Sequence, residues 1–145
     1  MAQLATRGEA DVVRALITAL QRADVEAALD LVHDDVVFHP YPLPQMRGKP
    51  AVARQLALIA LLVKNISIGT HNIASNGHVV LTERTHSFDV GPVPIEFWTW
   101  GTFEVVDGRI TLWRERLDIA ELSFSALKGI AQASLQIESR RGQTP

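Results

Sequence analysis

Two stretches of this 145-residue chain set polar side chains among apolar ones at a spacing of two. Residues 79–90 read Val-Val-Leu-Thr-Glu-Arg-Thr-His-Ser-Phe-Asp-Val, and residues 109–118 read Arg-Ile-Thr-Leu-Trp-Arg-Glu-Arg-Leu-Asp. If both are strands, alternate side chains share a face. Thr82, Arg84, His86 and Phe88 then stand on one side of the first strand. Thr111, Trp113, Glu115 and Leu117 stand on one side of the second. Should these faces meet, an apolar pocket holds an Arg, a His and a Glu. Arg84 can grip Glu115 by a two-point hydrogen bond. His86 titrates near ~6.5 when unperturbed; a neighbouring carboxylate raises that value and desolvation lowers it. Such a set does general acid–base chemistry, and a bell-shaped pH profile would follow. The same parity also allows a solvated Arg84–Glu115 pair and a purely structural histidine.

The elements that must aim these side chains can be read from the surrounding periodicity. Asp11–Arg22 puts Val12, Val13, Leu16, Ile17 and Leu20 on one helical face. Asp24 suits the N-cap of a second helix over Val25–Val32, with Glu26 in its positive first turn. Val36–His39 is β-branched and aromatic, hence a strand, and it ends in Pro40-Tyr41-Pro42-Leu43-Pro44, which must be extended or turning. Gly48 and Pro50 open a third helix, Pro50–Lys64, apolar almost all round and so expected to be buried on several sides. Strands follow over Ile68–Ala74, Val79–Val90, Ile95–Val106 and Arg109–Asp118, separated by the turn signals Asn76-Gly77, Gly91-Pro92 and Asp107-Gly108. Ile119–Ile137 reads as a terminal helix with Leu122, Ala126, Leu127, Ile130 and Ala131 as its core stripe, and Arg140–Pro145 as a frayed tail. Helices followed by antiparallel strands predict one α+β domain over residues 1–145, with 1–10 and 138–145 flexible. A sheet curled over those helices makes a cone with an apolar pocket, the default ligand site.

Composition excludes several classes. A net charge of −2 lacks the basic excess that nucleic-acid binding needs. The longest apolar run, Leu56–Val63, is far below the ~20 residues that span a bilayer. With no signal-like start, the expectation is a cytoplasmic protein with no membrane partner. Zero cysteines exclude a disulfide scaffold, a Cys-type zinc site, an iron–sulfur cluster and a thiol nucleophile. His33, His39, His71 and His78 have no metal-ligand spacing, so no metal is expected. Nucleotide-binding and serine-hydrolase motifs do not occur, and no cofactor is implied. Trp98 and Trp100 share a face with Glu96 and suit sheet packing or a dimer surface.

Val80-Leu81-Thr82-Glu83-Arg84-Thr85 resembles the limonene-1,2-epoxide hydrolase family of the NTF2-like/SnoaL-like superfamily. So do Phe97–Val105, Asp107–Arg114, and Pro42-Leu43-Pro44 followed by Arg47-Gly48, in matching order from about Asp11 to Ile137. The resemblance implies an NTF2-like cone: a curved mixed sheet wrapped around the N-terminal helices, with a C-terminal helix. It also implies a homodimer. The family uses an Asp–Arg–Asp set with a Tyr and an Asn: one Asp, with the Tyr and Asn, holds and deprotonates a water, and the other protonates the epoxide oxygen. By this resemblance Arg84 takes the Arg position, His86 that of the proton-donating Asp, Glu115 that of the water-activating Asp, and Trp113 that of a pocket Trp. Phe38 falls at the Tyr and Pro40 at the Asn; neither side chain can hold a water. His39 and Tyr41 lie one residue further on, and a bulge in this proline-rich strand end would turn them inward.

Three functions fit this sequence. The first is a cofactor-free acid–base enzyme that opens an epoxide in a small apolar substrate. Glu115 is its general base, His86 its general acid and Arg84 the bridge, with Phe38, Tyr41, Leu56, Ile59, Phe88, Trp113 and Leu117 lining the pocket. The second is a SnoaL-like cyclase or isomerase of a polyketide or terpenoid substrate, with an internal nucleophile in place of water. The third is a catalytically silent ligand-binding or dimerisation module.

Overall fold

The computed structural model describes residues 8–142. Its first helix, α1 (Glu9–Gln21), buries Val12, Val13, Leu16 and Ile17 on the face that their spacing defines. The chain reverses at Ala23 (φ 53°). The Asp24 carboxylate then accepts from the Ala27 N–H at 3.0 Å and caps α2 (Val25–Asp30). β1 (Val32–Tyr41) is longer than the apolar run alone indicates, and β2 (Met46–Arg47) pairs back along it. α3 (Lys49–Leu62) starts at Gly48 with Pro50 in its first turn. β3 (Val63–Asn76), β4 (Val79–Val90), β5 (Val93–Val106), β6 (Arg109–Leu117) and α4 (Ile119–Arg141) complete the described chain. Of the segments expected to be flexible, residues 1–7 and 143–145 lie outside the described residues, while the chain is helical from Glu9 and as far as Arg141.

The six strands form one curved, open sheet in the order β2-β1-β6-β5-β4-β3. β1 runs parallel to β6, and the other neighbours are antiparallel. Between β5 and β6, Asp107 and Gly108 adopt φ of 51° and 75°. Two successive left-handed residues are what a tight type I′ hairpin needs. α1, α2 and part of α3 lie on the concave face, where Val80, Phe103, Val105 and Ile110 from the sheet join Val13, Leu16 and Val52 in one core. A register shift between Glu104 and Val105 opposite β6 brings Ile110, rather than Thr111, to the inner face with Trp113. No helix among the described residues is long and apolar enough to cross a membrane.

Two helices differ from their sequence reading. α3 buries only Ala51, Val52 and Leu56, leaving Leu61 73% exposed and Leu58 and Leu62 about half exposed. One side of this helix meets the core and the other meets nothing among the described residues, so its all-round apolarity does not translate into all-round burial. On α4, Leu127, Ile130 and Ala131 face outward, and the buried positions among the described residues are Gly129 and Ala133. The reason is close approach: a Cβ on Gly129 would stand 2.6 Å from the Pro94 carbonyl oxygen. Polar groups of α4 also point at the sheet. Glu121 accepts from the Trp98 N–H at 2.9 Å, and the Ser125 hydroxyl accepts from the Glu96 N–H at 2.7 Å.

Candidate active site

The site is built on the inner faces of β4, β5 and β6. Thr82, Arg84 and His86 alternate along β4. Opposite them on β5 stand Gly101, Thr99 and Phe97. Glu115 of β6 is the next neighbour of Gly101, and Leu117 that of Thr99. Arg84 is fully buried. Its Nε donates to the Thr82 hydroxyl at 3.0 Å, and its Nη2 reaches across β5 to both oxygens of Glu115. A Cβ at Gly101 would lie 2.8 Å from that Nη2, so the missing side chain is what opens the path. Glu115, 7% exposed, also accepts from the Trp113 indole Nε1 at 2.9 Å. The guanidinium carbon sits 5.7 Å from the Phe103 ring centroid. The pair is therefore buried, and the solvated alternative does not apply.

Three polar atoms of this region are buried without a hydrogen-bond partner among the described residues: Arg84 Nη1, His86 Nε2 and Thr99 Oγ1. Each such group costs about 1–3 kcal/mol if nothing satisfies it. The three stand on adjacent positions of the β4–β5 ladder. Burial pushes the His86 imidazole down from 6.5 to about 4; the Arg84 cation lowers it too, while Glu115 pulls it up. Desolvation thus outweighs the carboxylate, and at neutral pH His86 carries no charge. It stacks on Phe97, with ring centroids 5.5 Å apart.

Of the other residues singled out from the sequence, Phe38 and Trp113 come together with ring centroids 4.7 Å apart beside Glu115. Phe88 meets Phe97 edge-on at 5.6 Å, and Leu117 is half-buried at the end of β6. Pro40 lies opposite Glu115 in the β1–β6 pairing. Tyr41 is not brought inward: it is 45% exposed and lies under Arg116, whose guanidinium is 5.0 Å from its ring. The bulge that would have inverted His39 and Tyr41 falls earlier, between Val32 and Val37, so pairing is regular from Val37 to Tyr41 and Phe38 stays inside. Leu56 and Ile59 line a different cavity, about 30 Å³, with Leu20, Val25 and Ile66. That volume holds one or two waters. A concavity of about 440 Å³ lies between α4 and the β4–β5 hairpin and includes Phe88 but not Arg84, His86 or Glu115. Phe38 and Phe103 both pack on Trp113, beside the ion pair. Thr99 and Gly101 were missed in the sequence; strand parity from Phe97 and Phe103 could have placed them on this face.

A curved mixed sheet over helices, with polar residues on its inner face, defines a fold class shared with solved structures. A putative SnoaL-like polyketide cyclase from Shewanella denitrificans aligns with TM-score 0.75 at 15% identity, over 83% of this chain and 96% of that one. An LEH-like epoxide hydrolase from Mycobacterium tuberculosis aligns with TM-score 0.80 at 34% identity, over 88% of this chain and 96% of that one. Epoxide hydrolase EphG of the same organism is 36% identical over 118 residues, 81% of this chain and 78% of the relative. Residues 7–128 match the limonene-1,2-epoxide hydrolase catalytic domain, and the chain belongs to that family.

Proposed function

We propose that this protein opens the epoxide ring of a small, largely apolar substrate by proton transfer at His86, with Arg84 receiving the ring oxygen. The observation that carries this is Arg84 itself: a fully buried guanidinium, tied down by Thr82 and Glu115, whose Nη1 remains uncommitted near an uncharged imidazole. A nucleophilic hydroxyl adds through oxygen to one epoxide carbon, and the carbon–oxygen bond of the ring breaks. The electron pair goes to the ring oxygen, where the Arg84 Nη1–H meets the developing charge. The hydroxyl proton passes to His86 and from it to the ring oxygen, so no proton is gained or lost. Here His86 is first base and then acid. Being uncharged at neutral pH, it does not start as the proton donor that its family position implies. Glu115, already accepting from Arg84 and Trp113, holds the guanidinium in place. The steps use no cofactor.

The source of the hydroxyl follows from Phe38 and Pro40. Neither carries a group that can anchor a water, and this favours an internal hydroxyl of the substrate, giving a cyclic ether. Reaction of a terpene-type epoxide and a hydroxy-epoxide in ¹⁸O-labelled water separates the outcomes. The expected result is unlabelled cyclic product, abolished by His86→Ala; labelled diol would mean that water attacks, and no product from either would remove the reading. The same reading includes a homodimer through the outer sheet face, where Leu81 and Trp100 are exposed. Light scattering on Trp100→Arg would then return a monomer.

A further inference from the structure

We infer that the Thr99 hydroxyl is a second donor to the oxygen that Arg84 receives, so that Thr99 and Arg84 Nη1 together form a binding site for a neutral oxygen that gains negative charge. Thr99 stands directly opposite Arg84 in the β4–β5 ladder and on the same inner face. Side chains so placed have Cβ atoms about 5 Å apart. Thr99 is 0% exposed, yet neither its Oγ1 nor Arg84 Nη1 has a hydrogen-bond partner among the described residues.

The guanidinium cannot turn to relieve this. Its Nε is held by Thr82 and its Nη2 by Glu115, which fixes the remaining nitrogen on the other side. The β6 neighbour of Thr99 is Leu117, which offers no acceptor. Valine would fill the volume of Thr99 without the cost of burying a hydroxyl, so the hydroxyl is best explained by a guest. Two donors, one of them cationic, select an acceptor oxygen and reject an ammonium or a guanidinium. An epoxide oxygen and an amide carbonyl share the required chemistry. The inference rests on the epoxide-opening reading for its kinetic consequence only; the binding consequence stands apart from it.

The experiment compares the wild type with Thr99→Val and Thr99→Ser in epoxide turnover and, separately, in calorimetric binding of hexanamide, a neutral alkyl amide. Removal of one such donor lowers kcat by about 100-fold. Thr99→Val is expected to show that loss with KM nearly unchanged, and to weaken hexanamide by about ten-fold on the general worth of one hydrogen bond. Its unfolding midpoint should be unchanged or higher, and Thr99→Ser should keep both activities. If the valine chain fails to fold, Thr99→Ala, which only removes atoms, takes its place. Wild-type turnover and wild-type hexanamide affinity in the valine variant would overturn the inference. Hexanamide binding that depends on Thr99, in a protein that opens no epoxide, would uphold the oxygen site and remove the epoxide reading. A wild type that neither binds hexanamide nor opens an epoxide overturns both.

Discussion

Arg84 and Glu115 stand on strands that are not neighbours, and they meet across β5 over the bare backbone of Gly101. A Cβ there would lie 2.6 Å from Thr82 Oγ1, 2.7 Å from the Phe103 ring and 2.8 Å from Arg84 Nη2. Gly101→Ala should therefore cost about 1–3 kcal/mol as an overpacked core. It should also lower activity at least ten-fold by displacing the guanidinium. Denaturant melts and turnover on the same preparation check both. An alanine variant as stable and active as the wild type would show that Arg84 has slack.

The ion pair predicts unequal single and double mutants. Arg84→Met leaves a buried carboxylate and Glu115→Leu a buried cation, and each should lose about 3–5 kcal/mol. The double variant replaces both charges with apolar groups and should recover most of that loss. A double mutant cycle by urea unfolding reads the coupling directly. Additive losses would mean that the two side chains are not paired in solution.

His86 sets an acid limb on stability. Its imidazole titrates at about 4 in the folded chain against 6.5 ordinarily, chiefly through burial. Above pH 6.5 neither state binds the proton. Between 6.5 and 4 the unfolded chain takes it up and the folded chain does not, so stability falls as pH falls. At ~1.4 kcal/mol per pH unit the loss is on the order of 3 kcal/mol. His86→Phe should remove that part of the slope. A histidine NMR titration should place the midpoint near 4 in the wild type, and kcat/KM should stay level from pH 6 to 8. A midpoint near 6.5 would contradict the buried, uncharged imidazole.

α4 should depend on its one buried glycine. Gly129→Leu drives a side chain into Pro94, whose carbonyl oxygen lies 2.6 Å from the Cβ position. The helix should lift from β5, and limited proteolysis should then cut beyond Asp118 much faster than in the wild type. Gly129→Ala should show a smaller change of the same sign, because the gain in helix propensity, about 1 kcal/mol, opposes the clash.

Much of this architecture was legible as periodicity. β4 was bounded correctly at both ends because turn residues flank it, and the parity of Arg84, His86, Trp113 and Glu115 was right along each strand. What parity does not carry is register. Parity can put Thr99 and Gly101 on this face, but that they stand between Arg84 and its β6 neighbours depends on pairing across the sheet. The inward turn expected of Tyr41 failed for the same reason, since the bulge of β1 lies elsewhere. Hydrophobicity misjudged α3 and α4 differently. Leu61 and Leu127 are apolar yet exposed, while the real contact on α4 is made by small and polar residues that no apolar stripe announces.

β6 stops at Leu117 while β5 continues back to Val93, so a length of β5, paired with β4 on one side, has no strand on its other side. The amides of Glu96 and Trp98 are there taken by Ser125 and Glu121, and the Trp98 carbonyl by the Asp118 amide. α4 thus works as a guard rail as well as a structural element. A chain cut after Asp118 would offer a sticky, unzipped margin to the next molecule, and its failure would be seen as fibrils or precipitate before any loss of the folded core.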